Sequence, residues 1–324
     1  MNSTRHRWGA ALFVGACLVL WTGGVAAQEP LSWGTMQSEI RAREPTPSTR
    51  IEYGPGLNRF GELRVPFGPG PHPVAIVIHG GCWLSIADLS YMRPLATELG
   101  RLEWATWTLE FNRIDQGEGS WPGILDDVAA GADHLREIAD EHGLDLGRVV
   151  AVGHSSGGHL ALWLAARGSA NEGAAHGRSE DAGPLAIHGV VGLAPVTGLE
   201  DFQARSDRCG SGIVDRLIGS SPGASRRGSP GDSVLYQNRL SATDPERMLP
   251  LGVDQLLVFG GEDRIVPPAH GGAWRRRGEA AGDTVAVEVI PGAGHFELVA
   301  PWTEHWTDVE VAIRGFLYGL KSGV

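Results

Sequence analysis

The sequence predicts an α/β fold: a mostly parallel central sheet with helices on both faces and a short insertion after the sixth strand. Apolar runs such as 74–78 and 149–153 are hydrophobic on both faces, which is typical of strands buried in a parallel sheet. Segments with helical patterning alternate with these runs. The 324 residues, 42% hydrophobic and 20% charged, are enough for one large core. We find no internal repeat and no linker that would divide the chain.

Eight strands are expected, in chain order, at 51–53, 61–65, 74–78, 104–109, 149–153, 188–195, 255–259 and 285–290. Turn residues separate the first two, which we expect to pair antiparallel at a sheet edge. Helices are expected at 38–43, 91–99, 120–142, 160–166, 269–281 and 302–320. Gly100 ends the second helix, and Ser120 and Pro122 give the third a cap and an early proline. Residues 50–324 are therefore expected to form one domain after a polar N-terminal arm at 28–49.

Regular patterning fades between the sixth and seventh strands, over residues 197–249. The stretch 205–233 is rich in Gly, Ser, Pro and Arg, and its apolar residues are too few for a separate domain. We expect an insertion that lies over the sheet. It is either a partial lid or a surface excursion without a role in substrate binding.

The N-terminus has the three parts of a secretory signal peptide, over residues 1–27. Arg5 and Arg7 precede an apolar run at 8–21, and small residues end at Ala27, which predicts cleavage there and a secreted or periplasmic protein. The run is too short for a comfortable membrane span. An alternative is a lipobox ending at Cys17, which would anchor a lipoprotein, but the apolar run continues beyond that cysteine.

Two cysteines, Cys82 and Cys209, remain after removal of the signal peptide. An oxidising compartment permits a disulfide between them. Two separate buried thiols are the alternative, because Cys82 lies in a loop whose geometry has another task.

The chain is acidic, with a formal charge of −11, and Lys321 is its only lysine. Because no basic stripe is available to neutralise phosphates, we do not expect nucleic acid as a partner. We interpret the acidity as a contribution to solubility.

One serine occupies a sharp turn between a strand and a helix, in Gly153-His154-Ser155-Ser156-Gly157, which fits G-x-S-x-G. Such a turn exposes one hydroxyl, and glycines two residues to either side let strand and helix pack closely. The hydroxyl would lie at the positive end of the helix dipole, which stabilises negative charge on a reacting oxygen. The spacing therefore predicts that Ser155 is a nucleophile.

The segment 79–81, Asp263 and His295 each follow a predicted strand, as Ser155 does. In such sheets ligands bind beyond the carboxyl ends of the strands, so we expect these residues to share one edge. The adjacent glycines in 79–81 expose backbone N–H groups of the kind that a developing oxyanion requires.

The predicted roles follow from the chemistry of a serine nucleophile. Its hydroxyl needs a base, and a histidine base needs a carboxylate to orient it, which points to His295 and Asp263. Asp263 is preferred over its neighbour Glu262 because of its spacing to Val266-Pro267. Most other histidines are expected to be structural or exposed, including His79, His154 and His159.

These motifs resemble the α/β-hydrolase superfamily over about residues 51–317. They are His79-Gly-Gly-Cys-Trp83, Gly153-His-Ser-Ser-Gly157, the Asp263 loop and Gly294-His295-Phe296. Within it the chain is similar to secreted esterases and lipases with an HGG-x-W oxyanion loop, in the hormone-sensitive-lipase-like, feruloyl-esterase-like and kynurenine-formamidase-like branches. Cys82 departs from the first of these branches, which usually has glycine there, and from the formamidases, which usually have tyrosine. A backbone donor survives that change, so the departure affects the branch and not the expected activity.

The resemblance implies a Ser-Asp-His triad, with oxyanion donors at Gly80 or Gly81 together with Ser156. It implies a serine esterase that cleaves small-molecule carboxylic esters through an acyl-enzyme. The alternatives are an amide-directed hydrolase, either a formamidase or a peptidase of the prolyl-oligopeptidase type, and, more remotely, a non-catalytic binding module. The sequence shows no metal-ligand cluster and no dinucleotide fingerprint, so we expect neither a metal nor a cofactor.

Overall fold

Eight strands form one sheet in the computed structural model, which describes residues 29–43, 48–167, 183–205, 208–220 and 230–321. The strands are β1 Thr49–Glu52, β2 Phe60–Arg64, β3 His72–Ile78, β4 Ala105–Leu109, β5 Leu144–His154, β6 Gly189–Leu193, β7 Asp254–Gly260 and β8 Val285–Ile290. Their spatial order is β1-β2-β4-β3-β5-β6-β7-β8. The predicted signal peptide and its lipobox alternative lie outside the described residues.

The sheet is antiparallel at one edge and parallel elsewhere. The first two strands pair antiparallel, β2 pairs antiparallel with β4, and every other pairing is parallel. Strands β3, β4 and β6 are buried along their whole length, although β4 includes the polar residues Thr106 and Thr108. With helices on both faces of this sheet, the predicted fold class is confirmed.

The helices are α1 Trp33–Ala42, α2 Arg93–Arg101, α3 Gly123–Asp133, α4 Leu135–His142, α5 Ser156–Ala166, α6 Leu199–Arg205, α7 Ile213–Leu217, α8 Pro230–Thr243, α9 Ala269–Ala281 and α10 Trp306–Lys321. Short 3₁₀ turns occupy Leu89–Met92, Gly117–Gly119, Pro245–Met248 and Glu297–Val299. Among the described residues, no helix combines the length and the apolar character needed to cross a bilayer.

The helix predicted over 120–142 is instead two helices that meet at His134. The indole N–H of Trp107 donates to the carbonyl oxygen of Gly131, at 2.7 Å. That oxygen is the acceptor that the N–H of Leu135 would use in a continuous helix. The break between the two helices thus coincides with a hydrogen bond from a strand residue to this carbonyl oxygen.

The first helix begins earlier than the predicted 38–43. The hydroxyl of Ser32 accepts the N–H of Thr35 at 3.1 Å and caps the helix. Met36 on its inner face is fully buried.

In the residues that the structure describes, the segment 197–249 contains the helices α6, α7 and α8, where the sequence pattern suggested little regular structure. Several of its apolar side chains are buried in the main core, among them Phe202, Ile213, Val214, Leu217 and Leu240, whereas Val234 and Leu235 are exposed. The indole N–H of Trp163 also donates to the carbonyl oxygen of Ala242, at 2.9 Å. The described part of this insertion is thus packed against the sheet layer. Helices α6 and α7 were missed because they are too short to show a helical period.

Candidate active site

Ser155 forms the turn between β5 and α5 in a backbone conformation that is rare for a residue with a side chain, with φ 58° and ψ −123°. Its neighbours hold this conformation: its N–H donates to the carbonyl oxygen of Leu193 at 2.9 Å, and its carbonyl oxygen accepts the N–H of Val196 at 3.2 Å. A β-carbon at Gly153 would overlap the carbonyl oxygen of Gly157. The strand and the helix therefore meet as closely as the motif requires.

Asp263 and His295 form a buried hydrogen-bonded pair. The distance from Nδ1 of His295 to Oδ2 of Asp263 is 2.6 Å, and the two residues are 6% and 4% exposed. The other carboxylate oxygen accepts the backbone N–H groups of Ile265 and Val266, at 2.7 and 2.9 Å. Glu262, the alternative carboxylate, is exposed. The carboxylate therefore keeps the histidine proton on Nδ1 and leaves Nε2 as the basic nitrogen.

His154, the residue before Ser155, connects the Ser155 turn to the loop that contains His295. Nε2 of His154 lies 3.0 Å from the carbonyl oxygen of His295, and the two imidazole rings are 4.5 Å apart. The described hydrogen bonds of the site do not include one from the Ser155 hydroxyl to the His295 ring. Such bonds are often long or poorly aligned before substrate binds.

The loop after β3, residues 79–83, is called the glycine loop and lies directly against Ser155. A β-carbon at Gly80 would come within 2.9 Å of the Ser155 β-carbon and 2.6 Å of the His154 carbonyl oxygen. The N–H of Gly80 donates to the hydroxyl of Tyr91. That bond occupies the Gly80 amide, whereas the amides of Gly81 and Ser156 have no acceptor within the described residues. Of the two predicted loop donors, the geometry favours Gly81.

Two further residues of this loop, Cys82 and Trp83, also have positive φ, at 56° and 58°. A disulfide joins Cys82 to Cys209 of the insertion, with Cα atoms 5.5 Å apart, so the two cysteines are not separate thiols. The N–H of Trp83 donates to the hydroxyl oxygen of Ser156 at 3.2 Å. The loop conformation is thus restrained by a covalent bond on one side and by the nucleophile turn on the other.

The buried carboxylate of Glu110 supports the glycine loop. Glu110, just after β4, accepts from Nε2 of His79 at 3.3 Å and from the N–H of Leu89 at 3.1 Å, and it pairs with Arg113. Burial raises the pKa of Glu110, but attraction to His79 and Arg113 outweighs burial and the pKa lies below its ordinary value.

His159, on α5, is a neutral link between the glycine loop and the insertion. Its Nδ1 accepts the indole N–H of Trp83 at 3.3 Å, and its Nε2 donates to the carbonyl oxygen of Thr243 at 2.9 Å. Burial lowers the pKa of His159 to about 4, so the ring has one donor and one acceptor, as these contacts require.

Sequence reasoning did not identify Tyr91 or Glu110 as parts of the site, and it treated His154 as the variable position of the motif. For Tyr91 and Glu110 the sequence offered no motif. For His154 the available signal was an ionisable side chain inside a segment that is otherwise apolar or small.

Solved structures share this fold over most of the chain. They include Esterase B from Lactobacillus Rhamnosis, with a TM-score of 0.70, 19% identity and coverage of 89% of this chain and 92% of that one. A truncated carbohydrate esterase from gut microbiota has a TM-score of 0.65, 18% identity and coverage of 86% and 97%. Thermogutta terrifontis esterase 2, phosphoramylated by tabun, has a TM-score of 0.66, 16% identity and coverage of 86% and 97%.

A search of curated protein sequences found no match. The model of the BD-FAE family, in contrast, matches residues 66–235, a segment that holds the glycine loop, the nucleophile turn and part of the insertion. The predicted resemblance to α/β-hydrolase esterases is confirmed. Because this match covers more than half of the chain, the protein belongs to the BD-FAE family, an α/β-hydrolase-type esterase family of ester hydrolases.

Proposed function

We propose that this esterase works through an acyl-enzyme in which Ser155 is the nucleophile, His295 the general base and Asp263 the residue that orients His295. One observation carries the assignment. A serine in a strained turn at the N-terminus of α5 shares the carboxyl edge of the sheet with a buried Asp–His pair.

The proposed reaction begins when Ser155 Oγ attacks the ester carbonyl carbon and Nε2 of His295 takes the hydroxyl proton. The carbonyl oxygen becomes an oxyanion, which the N–H groups of Gly81 and Ser156 stabilise together with the dipole of α5. The intermediate collapses as His295 gives the proton to the departing alcohol oxygen. A water molecule, deprotonated by the same histidine, then releases the acid and restores the serine.

We also propose that the protein is exported after cleavage following Ala27. Its disulfide between Cys82 and Cys209 supports this, since disulfides persist mainly in oxidising compartments. N-terminal sequencing of protein recovered outside the cytoplasm should begin at Gln28. A lipid-modified Cys17 at the N-terminus would instead identify the lipoprotein alternative.

The test of the catalytic assignment is hydrolysis of p-nitrophenyl esters from acetate to palmitate by residues 28–324. Turnover should fall by about three orders of magnitude or more in Ser155→Ala, while circular dichroism remains that of the wild type. A fluorophosphonate should label the wild-type protein at Ser155. Folded wild-type protein that is neither labelled nor active would favour the non-catalytic binding module.

Amide-directed hydrolysis is tested with aminoacyl anilides and formyl amides matched in size to the best ester. Our assignment predicts that kcat/KM for the ester exceeds that for each amide. The reverse order would favour a formamidase or a peptidase.

A further inference from the structure

A continuous chain of hydrogen bonds lies behind the nucleophile turn. The N–H of Gly80 donates to the hydroxyl oxygen of Tyr91, which lies 3.1 Å from Nδ1 of His154. Nε2 of the same ring lies 3.0 Å from the carbonyl oxygen of His295. The chain therefore runs from the glycine loop to the backbone of the proposed base.

The direction of every bond in this chain is determined by its two ends. A backbone N–H can only donate, so the Tyr91 oxygen accepts from Gly80 and its own proton is available for His154. A carbonyl oxygen can only accept, so His154 carries its proton on Nε2 and donates it to His295. One uncharged tautomer of His154 satisfies both bonds.

The surroundings keep both side chains uncharged. Burial, followed by repulsion from His295, lowers the pKa of His154 well below its ordinary value, and burial raises the pKa of Tyr91. Tyr91 is 3% exposed and His154 is 1% exposed. Unlike water-exposed polar groups, such buried groups would lose their bonding partners altogether if the arrangement shifted.

We propose that His154 and Tyr91 are positioning residues, which set the distance between the glycine loop and the catalytic histidine. This proposal rests on the assignment of Ser155 and His295 above. The three parts of the site come from loops after different strands, β3, β5 and β8. Among the described side-chain hydrogen bonds, those of His154 and Tyr91 join all three. The proposal gives the variable residue of the G-x-S-x-G motif a specific task in this chain.

The test compares His154→Phe, His154→Gln and Tyr91→Phe in the enzyme of residues 28–324. His154→Phe keeps an aromatic ring at this position but removes the hydrogen bonds to Tyr91 and His295. We expect kcat to fall by about 10- to 100-fold with KM changed less than about threefold, since small displacements of catalytic groups have such effects. Glutamine has a donor and an acceptor, and we expect it to restore most of the loss. Tyr91→Phe leaves the hydrogen bond between His154 and His295 in place and should lower kcat by only about 3- to 10-fold.

The double variant Tyr91→Phe/His154→Phe should lose less kcat than the product of the two single losses, because both residues belong to one chain of hydrogen bonds. His188→Gln is the matched control. His188 also accepts a hydrogen bond from β5, from the N–H of Val149 at 3.2 Å, but it is exposed and lies away from the carboxyl end of that strand. The kcat of His188→Gln should equal that of the wild type.

All rates are expressed per mole of folded protein, whose fraction is measured by circular dichroism and thermal unfolding, so that protein which fails to fold does not count as slow enzyme. If His154→Phe has the wild-type kcat, or if glutamine is no better than phenylalanine, the positioning role is wrong. If wild-type protein is inactive, or if His295→Ala leaves kcat unchanged, the catalytic assignment itself fails. These outcomes separate the two proposals.

Discussion

The glycine loop and the loop after β8 that contains His295, here called the histidine loop, meet at the same edge of the sheet. Different kinds of contact restrain the two loops. The glycine loop has a disulfide at Cys82, a hydrogen bond from Trp83 to the nucleophile turn, and the carboxylate of Glu110 beneath it. The histidine loop has a short bond from the His295 ring to Asp263, a contact of the His295 carbonyl oxygen with His154, a backbone hydrogen bond from Glu262 to Ala293 and a ring contact between Phe296 and Trp33.

The difference follows from what each loop contributes. The glycine loop offers backbone N–H groups, whose direction depends on every dihedral angle around them, and three consecutive residues, 81–83, have positive φ. The histidine loop offers a side chain, whose orientation one carboxylate can determine. A loop that works through its backbone thus needs several restraints, whereas a loop that works through a side chain needs a well-placed partner.

The largest expected effect comes from the carboxylate that orients the His295 ring. Asp263→Asn keeps the shape but removes the charge that selects the Nδ1–H tautomer, so kcat should fall by about 10³- to 10⁴-fold. The measurement is steady-state hydrolysis of the best ester, with thermal unfolding as the control for folding. A loss below tenfold would contradict the orienting role.

The next effect concerns the support of the glycine loop. Glu110→Gln leaves the guanidinium of Arg113 buried without its counter-charge, and we expect the free energy of unfolding to fall by about 3–5 kcal/mol. Urea denaturation at pH 7 measures this change. Equal stability of variant and wild type would show that the buried pair adds nothing to the loop.

The same carboxylate predicts a pH dependence. Because the pKa of Glu110 is lower in the folded state than in the unfolded state, its contribution is present above the unfolded pKa of about 4.3 and is lost as the pH falls through the folded value. Between about pH 5 and pH 3 the wild type should therefore lose more stability than Glu110→Gln. Parallel pH curves of the two proteins would contradict this.

The smallest expected effect is that of the covalent restraint. Cys82→Ser combined with Cys209→Ser opens a loop between residues 127 positions apart, and we expect a loss of about 2–4 kcal/mol in unfolding free energy. The kcat should fall less than in Asp263→Asn, because Trp83, Glu110 and Tyr91 still restrain the loop. Dithiothreitol treatment of the wild type is the matched control and should give the same stability. A larger loss of kcat than in Asp263→Asn would reverse the comparison between the loops.

Much of the fold was predictable because it depends on local pattern. The strand over 285–290 and the helix over 269–281 have the predicted bounds, since apolar alternation and flanking glycines define them within one segment. The helix break at His134 was not predicted; there, the indole of Trp107, a residue remote in sequence, donates to a carbonyl oxygen of the helix.

The sequence by itself determined the chemistry available at the site: a serine between two required glycines, a glycine pair after a buried strand, and an aspartate and a histidine after two others. Only the tertiary structure decided that Asp263 and not Glu262 contacts His295, that the Gly80 amide is occupied by Tyr91, and that Cys82 is bonded to Cys209. The physical reason is that hydrogen bonds and disulfides require approach to within a few ångströms between residues remote along the chain. Residue type sets what a group can do, whereas packing decides which groups meet.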